Sequence, residues 1–438
     1  MTDLTKGKPS QVMLRFALPI ALGNIFQLFY SLADTRVVGS TLGMNALAAV
    51  GATTSISTLF IGFLSGLTNG FAILVAREYG AKNEDGVRRY AAASLVLGVL
   101  TALAITLLCV GFLPLFLRLL NVPDDLLPEA SAYIRVILLG LIMTLLYNAL
   151  AGILRAVGDT TAALVFLVCA SLLNIVLDLT FILVFHLGVG GAALATVVSQ
   201  SLSAAASFLY MQKRYPMFQF HLADFSVNRE VAERLYTSGL SMAMMMSLVF
   251  FGTLSLQCAI NTFGNDIIVA HTAARKITEF FMLPFSVMGV AMATYCGQNM
   301  GAGETGRIRE GIRQALILTC IWSVGMMLLS YTAVPFLVHL VTGTRQVQVV
   351  KTAASYLKTD TLFYFAPAAI CVLRNALQGM GEHRIPVISS FIELAGKVAA
   401  AAFLTPVFHY WGIIAAEPIV WVLMVIPLII QTKKMLQS

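Results

Sequence analysis

The sequence predicts an all-α integral membrane protein with twelve transmembrane helices in two pseudo-twofold-related six-helix bundles. Three observations carry that expectation: long apolar windows, a lopsided distribution of basic residues, and an internal repeat. Of the 438 residues, 58% are hydrophobic and 11% charged, and mean hydropathy is +0.85; soluble domains carry about 25% charged residues. Windows of about 20 apolar residues, the length that crosses hydrocarbon as a helix, fall near 13–37, 46–72, 88–113, 131–154, 162–186, 190–211, 235–261, 268–296, 311–337, 356–378, 386–405 and 411–431.

The connections give an orientation. Nineteen Lys and Arg collect on the side of the two termini, Lys6, Arg77, Arg88, Lys213, Arg307 and Lys433 among them. At most seven lie opposite: Arg36, Arg118, Arg275, Lys276, Arg345, Lys351 and Lys358. The positive-inside rule then places both termini in the cytoplasm. The net charge of +7 belongs to these loops and implies no nucleic-acid partner. The polar start MTDLTKGKPSQ is followed by an oily run too long for a signal peptide. Six cysteines stand singly in different apolar segments, without metal-like spacing, and are expected to be free, buried thiols.

The chain repeats itself. YGAKNEDGVRR (79–89) matches MGAGETGRIRE (300–310) at an offset of 221, which also pairs Phe60 with Phe281 and Gly43 with Gly264. Further on the offset is 223: Tyr133 pairs with Tyr356, Gly158-Asp159 with Gly381-Glu382, and His186 with His409. The expected domains are a cytoplasmic N-terminus (1–12), an N-terminal bundle (13–211), a cytoplasmic linker (212–233), a C-terminal bundle (234–432) and a cytoplasmic C-terminus (433–438). Six helices per copy give both copies one orientation, the parallel arrangement of transporters that rock two bundles about a central site.

Polar residues inside oily helices are costly, about 2.5–3.5 kcal/mol for a central carboxylate, and normally have a function. The fifth segment aligns Ser171, Asn174 and Asp178 on one face; the sixth aligns Thr196, Gln200 and Ser203; the first aligns Asn24, Gln27, Ser31 and Asp34. Asp178 lies about 24 Å from the cytoplasmic start of its helix and Thr196 about 9 Å from the outer start of the next, so their depths are compatible. Two carboxylates in one low-dielectric pocket are expected to share a proton or hold a cation. The hard oxygens of Asp34, Asn174, Asp178 and Thr196 suit Na⁺ or H⁺ rather than a soft metal. Two other readings stay open: a structural hydrogen-bond network, and pairing of Asp34 with Arg36. Pro19 interrupts the first helix below Asp34 and is a candidate hinge.

The second half does not repeat the aspartates: Ala401 stands opposite Asp178 and Ser255 opposite Asp34. Its own charges include Arg275 and Glu279, and Glu393 and Lys397, both spaced to neutralise each other at i,i+4. Glu417 has no partner on its own helix, which makes it a stronger functional candidate. Met242, Met244, Met245 and Met246 offer either a soft binding wall or simple packing. Candidate cavity residues are Asn24, Gln27, Tyr30, Gln200, Met246, Gln257, Glu279 and Glu417. There is no GxxxxGK[ST] loop for ATP, no HExxH or GxSxG of a hydrolase, and no channel filter. No cofactor is expected.

At these residues the sequence resembles the multidrug and toxic compound extrusion (MATE) family of bacterial efflux transporters. The likeness covers essentially the whole chain: LPIALGNIFQLFYSLADTRVVG, ALAAVG (46–51), ILRAVGDT (153–160), NIVLD (174–178), GVGGAALATVVSQ (188–200) and GQNMGAG (297–303). The resemblance implies a multi-pass protein of the bacterial cytoplasmic membrane, a monomer and not an enzyme, that exports hydrophobic, often cationic compounds against Na⁺ or H⁺. In the DinF-like branch the cation site is a helix-one Asp, helix-five Asn and Asp, and helix-six Thr, roles that fall on Asp34, Asn174, Asp178 and Thr196. The NorM-like branch uses acids on helices seven and ten; helix seven has none here, and the helix-ten position aligns with Pro367. A lipid-linked oligosaccharide flippase of the same superfamily is a rival expectation, and a membrane-embedded enzyme a second.

Overall fold

The computed structural model describes residues 2–120, 122–343 and 346–437. Among the described residues all regular structure is helical. Ten single helices are long and apolar enough to span a bilayer: α1 (Pro9–Leu42), α2 (Met44–Gly80), α3 (Glu84–Gly111), α7 (Thr160–Leu179, continued to Val184), α8 (Gly188–Arg214), α9 (Arg229–Ile260), α10 (Asn265–Gly301), α11 (Thr305–Thr342), α14 (Arg384–Ala399, continued to Phe408) and α16 (Tyr410–Gln437).

The other two predicted spans are broken. Segment 131–154 divides into α5 (Leu127–Leu139) and α6 (Leu141–Ala156), bent by 46° at Gly140, where a Cβ would collide with Val197. Segment 356–378 divides into α12 (Val347–Leu362) and α13 (Phe365–Met380), with Phe363 and Tyr364 at the break. The short α4 (Leu113–Leu119) and α15 (Thr405–Phe408) complete the set.

The chain folds as two units, one of Thr2, Asp3 and Leu18–Ala243, the other of Leu4–Ala17 and everything from Met244 onward. In the second unit Leu4 is buried; its N–H donates to Gln298 Oε1 at 3.2 Å, and its carbonyl accepts from Asn299 at 3.1 Å and Arg307 at 3.2 Å. GQNMGAG therefore serves as a socket for the N-terminal backbone, a use its sequence does not announce. In the first unit the start of α9 packs on α2, with Ser238 Oγ donating to Gly70 O at 2.8 Å.

The duplication is written into the backbone. Gly158 and Gly381 have φ of +85° and +93°, and His186 and His409 have +53° and +51°, a region that non-glycine residues seldom occupy. A wide π-type turn follows both α7 (Thr180–Val184) and α14 (Ala400–Leu404). After α8, residues 215–228 are tied to the first unit. Asp159 caps α7 through Ala162 N–H and also accepts from Tyr210 Oη at 3.0 Å and Tyr215 Oη at 2.6 Å. The His221 N–H, with the Arg88 guanidinium beside it, holds the Asp224 carboxyl below the usual carboxylate range.

Gly70 tests the α2–α9 packing, because a Cβ there would stand 2.5 Å from Ser238 O and 2.6 Å from Gly239 Cα. We predict that Gly70→Val lowers stability by about 1–3 kcal/mol, the usual cost of overpacking, read as a fall in the thermal midpoint of the purified protein. Gly51→Ala on the same helix meets no atom within 4 Å and does not lower that midpoint, since Ala is the better helix former.

Candidate functional site: a carboxyl pair inside the first unit

Three helices of the first unit bring the polar stripes together. On α1, Tyr30 and Asp34 are one turn apart, as are Asn174 and Asp178 near the end of α7. The tight connection at His186 returns the chain as α8, so Thr196 comes level with Asn174. Asn174 and Asp178 are almost fully buried, at 1% and 0% exposure, and Asp34 is half-buried.

The Asn174 amide is oriented by its neighbours. Its nitrogen donates to Tyr30 Oη at 2.5 Å and Asp178 Oδ2 at 3.0 Å, and its oxygen accepts from Thr196 Oγ1 at 3.3 Å. The Asp34 and Asp178 carboxyls face each other closely enough to interact directly. Two carboxylates cannot bond to each other without a proton between them or a cation against both. Asp178 Oδ1 is buried with no protein partner, and an orphan buried acceptor is rare enough to mark a place for a ligand. The set offers only oxygens and one amide, all hard donors.

Other predicted residues lie apart from this cluster. Among the described residues Asp34 makes no ion pair with Arg36. Gln200 is used in packing, accepting from Thr144 Oγ1 at 2.6 Å; Ser171 and Ser203 donate to the carbonyls of Leu167 and Phe166. Asn24 is half-buried and Gln27 exposed. The helix carrying Pro19 runs unbroken from Pro9 to Leu42. Met242 and Met245 are buried, whereas Met244 and Met246 are 48% and 45% exposed. Cys169 and Cys258 are exposed rather than buried. Tyr133, which the sequence marks only as a repeat position, stands near both carboxyls.

The second unit has a buried charge cluster of a different kind. Glu393 and Lys397 pair at 2.9 Å, as their spacing predicts. Arg275 does not pair with Glu279: it reaches Glu417 at 2.9 Å, and Lys276 takes Glu279 at 3.1 Å on the surface. Glu417 is far from unpartnered, accepting also from Tyr356 Oη at 2.9 Å with Lys397 at 3.7 Å. It lines a small cavity with Gln257, His271 and Arg275. The tenth span is not without an acid. Asp360 is 1% exposed in the last turn of α12, 3.4 Å from Thr278 Oγ1, and its Oδ1 has no protein partner, nor has the buried Tyr364 hydroxyl. Asp360 lies seven residues before Pro367, on the other side of the helix break at Phe363–Tyr364.

This is the architecture of a polytopic membrane transporter, with two helical units and acid-bearing spans. The MatE family model matches it twice, over residues 19–180 and 241–403, and the chain belongs to that family. Probable multidrug resistance protein YpnP of Bacillus subtilis is 30% identical over 312 residues, 70% of this chain and 68% of its own. Probable multidrug resistance protein NorM of Thermotoga maritima is 25% identical over 430 residues, 96% of this chain and 90% of its own. Among solved structures, a multidrug resistance MATE family transporter of the MOP superfamily in an outward-facing conformation superposes with a TM-score of 0.90 at 25% identity, covering 99% of this chain and 97% of that one. Twelve helices in two lobes are thus the fold of this chain.

The charge cluster yields a stability test. Glu417→Ala leaves Arg275 and Lys397 short of a buried counter-charge and is expected to cost about 3–5 kcal/mol, read as a lower thermal midpoint. Glu279→Gln, on a half-exposed surface pair, should change stability by no more than about 0.5 kcal/mol.

Proposed function

We propose that the protein is a secondary active efflux transporter, exporting hydrophobic, often cationic compounds in exchange for Na⁺ or H⁺ by alternating access. The observation that carries the reading is the contact between Asp34 and Asp178. One carboxyl belongs to the first helix and the other to the fifth, so the charge state of the pair acts directly on the position of one helix against its neighbour. Loading a cation or proton satisfies both carboxyls. Without it, two anions face each other in a low-dielectric interior, where like-charge repulsion is strong.

Asn174 fixes Asp178 from one side and Thr196 steadies Asn174, so the pair is presented on a rigid support. Tyr30, one turn from Asp34, links the first helix to the same amide. Pro19, between the cytoplasmic end of α1 and Asp34, is the place where that helix can change its course. For exchange, the ion and the exported compound need only favour opposite conformations, since a ligand shifts an equilibrium by its difference in affinity for the two states. Na⁺ and H⁺ are transported species here, not resident cofactors. The names of the relatives, multidrug resistance proteins, support drugs as the compounds handled, and the basic loops support an inner-membrane protein with both termini in the cytoplasm.

The test uses the full chain in proteoliposomes loaded with a fluorescent cationic dye. Asp34→Asn and Asp178→Asn each should reduce ion-driven efflux at least tenfold while the thermal midpoint stays near that of the wild type. Collapsing the Na⁺ and H⁺ gradients separately identifies the coupling ion. Full efflux by both variants would falsify the coupling assignment.

A further inference from the structure

Within the second unit, α11 and α12 enclose an apolar groove of about 570 Å³, with Pro335, Phe336, Val350 and Ala354 in its walls and His339 and Lys351 at its edge. We propose that this groove is a binding site for an anionic phospholipid, one acyl chain lying in the groove and the phosphate held by Lys351. The groove opens outward: Phe336, Leu340 and Val347 around it are 65%, 70% and 81% exposed. On membrane-spanning helices, such side chains meet lipid.

Its depth suits a headgroup. Pro335 and His339 lie in the last two turns of α11, about 5–10 Å from the helix end, and Lys351 is the fifth residue of α12. This is the end of α11 remote from Arg307, Arg309 and Arg313. Lys358 follows Lys351 by two turns on the same face, with its ammonium 5.5 Å from the centre of the Tyr331 ring. Among the described residues neither lysine has a carboxylate partner. Two other exposed basic residues each have one: Arg234 has Glu230, and Lys276 has Glu279.

An ammonium inside or at the edge of hydrocarbon is costly without a counter-charge. The Tyr331 ring face meets part of that need at Lys358 by a cation–π contact; among the described residues no carboxylate meets it at Lys351. A soluble anion would satisfy the lysine but leave the apolar groove empty, and a neutral lipid would fill the groove without adding net negative charge. An anionic phospholipid does both, in the way basic pockets between transmembrane helices bind acidic headgroups.

The test reconstitutes the full chain in bilayers of equal parts phosphatidylcholine and phosphatidylglycerol, extracts it in mild detergent, and counts retained lipid by native mass spectrometry. The wild type should retain phosphatidylglycerol over phosphatidylcholine. Lys351→Gln, on an exposed side chain that leaves the fold intact, should lower phosphatidylglycerol retention about fivefold, as expected for one lysine at a membrane surface, and Lys358→Gln should lower it further. Ala354→Trp, which fills the groove, should remove both lipids. Equal retention of the two lipids by the wild type would overturn the proposal. So would a phosphatidylglycerol preference that survives both lysine variants, or retention unaffected by Ala354→Trp.

Discussion

The contact between Asp34 and Asp178 constrains the whole first unit. Each carboxyl lies on a largely apolar helix, where an unpartnered charge is costly. The structure answers with Asn174, Thr196 and Tyr30, which surround the pair with oriented polar groups while one carboxylate oxygen stays without a protein partner. A site built this way is satisfied only when something positive is present.

The second unit treats buried charge in the opposite manner. Arg275, Lys397 and Arg374 are set against Glu417 and Glu393, with the Tyr356 hydroxyl added. Opposite charges are interleaved there, so removing any one exposes its partner, and such an arrangement favours a fixed structure over a switch. Asp360 stands outside this balance, with one unpartnered oxygen beside an unpartnered tyrosine. The two copies of the duplicated unit have kept backbone features such as the left-handed glycines and histidines while dividing their polar chemistry differently.

Much of this was legible in the sequence because its causes are local. Hydrocarbon thickness dictates span length, so the apolar windows mark the helices. Paired glycines at 158 and 381 and paired histidines at 186 and 409 hold the same unusual backbone in each copy, so the repeat is visible both as letters and as torsion angles. Asn174 and Asp178 share a face by helical period alone. The bend at Gly140 was less visible, since no proline marks it and the close approach of Val197 there belongs to the packing of another helix.

Composition, spacing and charge distribution alone determined a twelve-helix membrane protein made of two like halves, with acids in its first and fifth spans. They could do so because each of those features follows from interactions within a few residues or from the thickness of the membrane. Only the tertiary structure decided which charges meet. Arg275 lies four residues from Glu279 in sequence yet pairs with Glu417, 142 positions away; Leu4 is held by Gln298 across 294. Partners of that kind are chosen by how helices pack, and no helical period records them.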